Sequence, residues 1–93
     1  MAKLIGNLRI TAIPASDGVK AHFEVVFVPY AGRLTTKPAR AYTFDELVAL
    51  LSDLRFDEDE ATRYAGRVRS QGVILVPSFE RADTFLREKG LIA

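Results

Sequence analysis

Residues 4–28 read LIGNLRITAIPASDGVKAHFEVVFV, and the architecture turns on how this stretch folds. From Leu8 to Ala12 apolar and polar residues alternate, the pattern of a half-buried strand, so a strand is predicted over Leu4–Ile13. Ala15-Ser16-Asp17-Gly18 is a run of turn formers, with Gly18 suited to a positive φ. Val19–Val28 is dense in β-branched and aromatic residues and predicts a second strand. A loop over residues 15–18 then places Ala12–Ala21, Ile10–Phe23, Leu8–Val25 and Gly6–Phe27 on one face. Thr11–His22, Arg9–Glu24, Asn7–Val26 and Ile5–Val28 fall on the other. That register gathers the apolar pairs and sets Arg9 against Glu24, a cross-strand charge pair of ~0.2–1 kcal/mol. It also lays Phe27 over Gly6, covering a strand glycine with an aromatic ring. Because side chains alternate with period two, a slip of one residue would turn the apolar set outward. Leu8, Ile10, Phe23 and Val25 are therefore expected to point into the core.

Beyond the hairpin, Pro29-Tyr30-Ala31-Gly32-Arg33 reads as a break. A third strand is expected from Leu34–Lys37 and Ala39–Tyr42, restricted by Pro38 to an edge or a bulge. Thr43 and Glu46 have the spacing of a capping box, with Tyr42 and Leu47 as its hydrophobic staple. Phe44, Leu47, Val48, Leu50, Leu51 and Leu54 follow at helical spacing and predict a helix over 44–54. Asp57 with Glu60, flanked by Phe56 and Ala61, repeats the signature for a helix ending at Gly72. Its inward stripe is Ala61, Tyr64, Ala65 and Val68, and Gly66 in mid-helix suggests a close backbone approach. Val73–Val76 reads as a buried strand. Ser78 is placed to cap a last helix carrying Phe79, Ala82, Phe85 and Leu86. Gly90 ends that helix, and Leu91-Ile92 is expected to fold back onto the core. The expected fold is α+β over residues 1–93 as a single domain, in the order ββ(β)ααβα. An antiparallel hairpin or meander sheet carries three helices on one face.

Composition narrows the setting. With 93 residues, 48% apolar and 27% charged, the chain has the balance of an ordinary globular domain. It has no cysteine, which excludes disulfides and thiolate metal sites and favours a reducing, cytoplasmic location. No apolar run reaches signal-peptide or membrane-spanning length, so no membrane partner is expected. Residues 1–43 carry six basic and two acidic side chains, residues 44–93 seven basic and ten acidic.

No motif assigns chemistry. Asp57-Glu58-Asp59-Glu60 lacks the spacing of a calcium loop and is explained by a helix start, where acids oppose the macrodipole. A metal site at the single histidine, His22, would need other ligands beside it, and the register offers Thr11 opposite and Arg9 or Glu24 diagonally. Glycines form no phosphate loop, and Arg63 is placed to pair with Asp59 or Glu60 one turn back. No catalytic residue, metal or cofactor is assigned.

Three functional expectations follow. The first is a non-enzymatic protein-interaction module, homodimeric through its sheet. Ile5, Val26 and Val28 stand on the second sheet face, where solvent would otherwise be expected. The tail at Leu91-Ile92 or the 30–42 segment is the alternative cover for them. The second is nucleic-acid binding through Arg9, Lys20, Arg33, Lys37 and Arg40, with Tyr30 for stacking and Glu24 opposing. The third is a small ligand-binding protein or enzyme centred on His22 with Arg9 and Glu24.

Overall fold

Asp17 and Gly18 close the hairpin as a two-residue turn. Ser16 and Val19 exchange backbone hydrogen bonds of 3.0 and 2.9 Å across it, and Gly18 takes a φ of 74°. Asp-Gly suits such a turn because the glycine accepts the positive φ that matches strand twist. The computed structural model describes residues 3–30, 38–54 and 57–92. Strand β1 (Leu4–Ile13) runs antiparallel to β2 (His22–Pro29), pairing Leu8 with Phe27, Ile10 with Val25 and Ala12 with Phe23.

This corrects the predicted register by two residues, since the connection is two residues long and not four. A shift of two keeps every side chain on its face. Leu8, Ile10 and Val25 are fully buried and Phe23 nearly so, as expected. The cross-strand partners do change: Arg9 stands opposite Val26, and Thr11 opposite Glu24. Phe27 pairs with Leu8, yet its ring still reaches back over Gly6.

Strand β3 (Arg40–Tyr42) flanks β2, and β4 (Val73–Phe79) flanks β1, giving an all-antiparallel sheet in the order β3-β2-β1-β4. The Leu34–Lys37 part of the expected third strand lies outside the described residues. β4 departs from prediction in two ways. It is an edge strand with Val73 and Leu75 exposed, not a buried one, and it continues through Pro77 and Ser78. An edge tolerates proline because its missing N–H is needed on one side only. Ser78 is therefore no helix cap. It lies opposite Gly6 and points inward, while the 3-10 turn Glu80–Ala82 and helix α3 (Asp83–Glu88) begin without a side-chain cap.

Helix α1 (Phe44–Asp53) starts as predicted: Thr43 Oγ1 accepts from the Glu46 amide at 3.2 Å and Glu46 accepts from the Thr43 amide at 2.9 Å. At α2 (Glu58–Gln71), Asp57 accepts from the Glu60 amide at 2.7 Å, the forward half of the second box. Its staple partner Phe56 is outside the described residues. Gly72 ends α2 with a φ of 90°. Ala61, Ala65 and Val68 are fully buried, so small side chains let α2 lie close to the layer beneath.

Two expectations for α2 fail. Arg63 forms no ion pair among the described residues. Its neighbours use their cationic groups differently, Arg69 over the Phe44 ring at 4.9 Å and Arg67 over Tyr64 at 5.8 Å. Gly66 makes no close approach: it is exposed, and a Cβ there would meet nothing within 4 Å. Gly66→Ala should accordingly stabilise the protein by about 1 kcal/mol, the difference in helix propensity. Urea unfolding would register this as a higher midpoint at unchanged slope. A loss of stability would mean that the glycine serves a contact after all.

The core joins the inner sheet face to all three helices through Leu8, Ile10, Phe27, Leu47, Leu51, Val68 and Leu86. Leu91 and Ile92 are 1% exposed within the same cluster, so the tail folds back on the helical side as expected. It leaves the opposite sheet face alone. The observed order, β1 β2 β3 α1 α2 β4 α3, is the predicted α+β arrangement.

Candidate functional site

On the face of the sheet turned away from the helices, three cross-strand rows span β2, β1 and β4, and Ile13 with His22 forms a fourth on β1 and β2 alone. Of the three, Val28, Asn7 and Pro77 form one, Val26, Arg9 and Leu75 the next, and Glu24, Thr11 and Val73 the third. Each row follows from the period of two. Gly6, Leu8 and Ile10 of β1 point inward, so the residues between them point out. Polar residues from β1 thus run down the middle, flanked by valines of β2 and by the apolar edge of β4.

Several of these side chains are wet. Val28 is 39% exposed, Val73 47% and Leu75 58%, with Tyr64, Arg67 and Gln71 of α2 bordering a hollow beside Val73 and Leu75 at the sheet edge. Tyr30 extends the surface from the end of β2. It is 61% exposed, and its hydroxyl stands 3.4 Å from Asn7 Nδ2. Interfaces are enriched in such a mixture, with tyrosine and arginine set among aliphatic groups.

Of the three apolar residues expected here, Val26 and Val28 take their places and Ile5 does not. The β1–β4 register slips by one residue between Leu4 and Gly6, a bulge that redirects the extra residue. Ile5 is half-buried against the core and lines a shallow hollow with Lys3, Glu80, Arg81, Asp83 and Thr84. Leu75, Val73 and Tyr30 occupy the surface instead. Their signal was present in sequence: Val73–Val76 is apolar at every position, but an edge strand buries only alternate residues.

The basic residues are not gathered. Arg9 lies at the centre of the open face and Lys20 in the hairpin end. Arg40 pairs with the buried Val25 on the helical side, where its guanidinium lies against Gly90. Arg40 also stands close enough to Tyr42 to oppose, in part, the rise that burial causes in the phenol pKa. Arg33 and Lys37 are outside the described residues. A nucleic-acid surface needs its cations on one side, and the described ones divide between two.

Around His22 the groups are close but lie open. Its Nδ1 is 2.9 Å from the Lys20 carbonyl and its Nε2 3.8 Å from Glu24 Oε2. The first contact makes Nδ1 the donor in the neutral ring. Arg9, opposite Val26, is displaced diagonally from Glu24. His22 is not among the residues that line the hollows beside Ile5, Ser78 and Leu75.

Among the described residues, no helix is long and apolar enough to cross a membrane. Compared with known proteins, the chain matches no family model, no curated sequence and no solved structure.

Proposed function

We propose that the protein is a small non-enzymatic interaction module that pairs with a second copy of itself through the open sheet face. The observation that carries this is the exposure of Val28, Leu75 and Val73 on the sheet face opposite the helical core. Antiparallel sheets tolerate one solvated face when it is polar; here two of its three columns are largely apolar.

Charge favours a second copy over an unlike partner. The three rows contain one cation, Arg9, and one anion, Glu24, on adjacent strands and one row apart. A two-fold axis brings the same patch against itself, so each contact occurs twice. An axis midway between Arg9 and Glu24 sets each arginine against the other copy's glutamate. Stacked sheets lie about 10 Å apart, within reach of these side chains. A cysteine-free chain fits a reducing cytoplasmic setting for such a module.

Light scattering at high micromolar concentration is expected to give twice the chain mass. Leu75→Asp should weaken pairing roughly hundredfold, the cost of desolvating unpaired carboxylates against apolar neighbours. Arg9→Glu should also give monomers, and mixing it with Glu24→Arg should restore a mixed pair. A strictly monomeric wild type, or a Leu75→Asp variant that pairs like it, would remove the proposal.

A further inference from the structure

Gly6 and Ser78 face each other across β1 and β4, so the inner side of the sheet is lined there by two of the smallest residues. The Phe27 ring fills the space above Gly6. On the β4 side the space stays open, as a hollow of about 360 Å³ between the end of β4, the end of α1, the start of α2 and the chain leading into α3. That volume lies at the lower end of the range for small-molecule sites. Leu54, Pro77, Phe79 and Phe85 supply apolar walls.

Two polar groups in its lining, the Ser78 hydroxyl and the Glu60 carboxylate, have no partner among the described residues, and a third, Arg81, lies over the Phe79 ring at 5.8 Å without an ion pair. Ser78 is 3% exposed, and its buried Oγ has no hydrogen-bond partner. Buried hydroxyls are nearly always bonded, so this one is a vacancy in the hydrogen-bond scheme. Glu60 and Arg81 carry opposite charges on the same hollow and form no ion pair with each other or with any described residue. Asp53, also in the lining, is answered by Lys89 Nζ at 4.0 Å. Among the described residues, the lining charges without an ion pair are thus one carboxylate and one guanidinium.

We infer that this hollow binds a small zwitterion with an apolar body, of the class of a free apolar α-amino acid. The ammonium group of such a molecule pairs with Glu60 and its carboxylate with Arg81, whose planar fork suits a carboxylate. The apolar body lies against Phe79 and Phe85, and the Ser78 hydroxyl gains the partner it lacks. A ligand with a single charge satisfies only one of the two leftover groups. This site shares only Pro77 with the open sheet face and does not depend on self-association.

The test is an NMR titration of the labelled full chain with L-phenylalanine, phenethylamine and 3-phenylpropionate, which keep both charges, the ammonium alone and the carboxylate alone. Saturable shifts are expected at the amides of Ser78, Phe79 and Glu60, with phenylalanine binding about tenfold tighter than either analogue, as expected for one added charge pair. Glu60→Gln should bring phenylalanine down to the level of phenylpropionate, and Arg81→Gln down to that of phenethylamine. Ser78→Ala, which removes an unpaired hydroxyl and leaves the fold intact, should weaken all three severalfold. Equal binding of the three probes, unsaturable shifts, or an unchanged affinity in Ser78→Ala would each overturn the inference.

Discussion

Gly6→Ala is expected to destabilise the protein by about 3 kcal/mol, the upper end of the cost of overpacking a core. A Cβ at Gly6 would run into the Val28 carbonyl oxygen, and would lie 2.7 Å from Phe27 Cζ and 3.0 Å from Pro29 Cα. Two of those three obstacles are backbone of β2, which cannot retreat without opening the β1–β2 ladder. Near the transition this corresponds to a fall in melting temperature of roughly 12–24 °C for a chain of this size. Thermal and urea unfolding would measure it. A loss below about 1 kcal/mol would mean that the two strands are not held this closely, and the Gly6–Pro29 pairing would have to be abandoned.

Phe27→Ala should cost about 4 kcal/mol, because the ring is 1% exposed and its removal leaves a cavity that the surrounding strands cannot close. Leu8 opposite it and Gly6 beneath it are both within the ladder, so collapse into the gap is limited. The two substitutions should not add. With the ring gone, an alanine at position 6 loses one of its three clashes, so the double variant should be about 1 kcal/mol more stable than the sum of the singles. Strict additivity would place the Phe27 ring elsewhere. The pair thus tests the one contact that joins the hairpin register to the filling of the sheet's end.

That contact also marks the limit of what was legible beforehand. Phe27 over Gly6 was expected from a register in which the two residues were direct partners. The ring arrives there from a register shifted by two, because an aromatic side chain spans the diagonal to a neighbouring row. The faces of β1 and β2 survived the error, since any even shift preserves them. The partners across the strands did not, and with them went the Arg9–Glu24 pair. The second-face patch was legible at Val26 and Val28. It was misplaced at Ile5 because a bulge depends on how β4 docks far along the chain. The hollow beside Ser78 had no sequence signal: serine before an apolar helix pattern looks like a cap, and only pairing with Gly6 makes it a strand residue.

The chain alone determined whatever is settled within a few residues. The Thr43–Glu46 box, the Asp57 cap, the positive-φ glycines at 18, 72 and 90, and the two-residue alternation of the hairpin all act over one turn of helix or one step of strand. Tertiary structure alone decided the register, the docking of β4 as an exposed edge on β1, the turn of Ile5 away from the open face and the unfilled space next to Ser78. The last three of those features are set by backbone pairing between segments some 70 residues apart. Local propensity carries no record of such pairing, because many registers share the same pattern of inward and outward side chains.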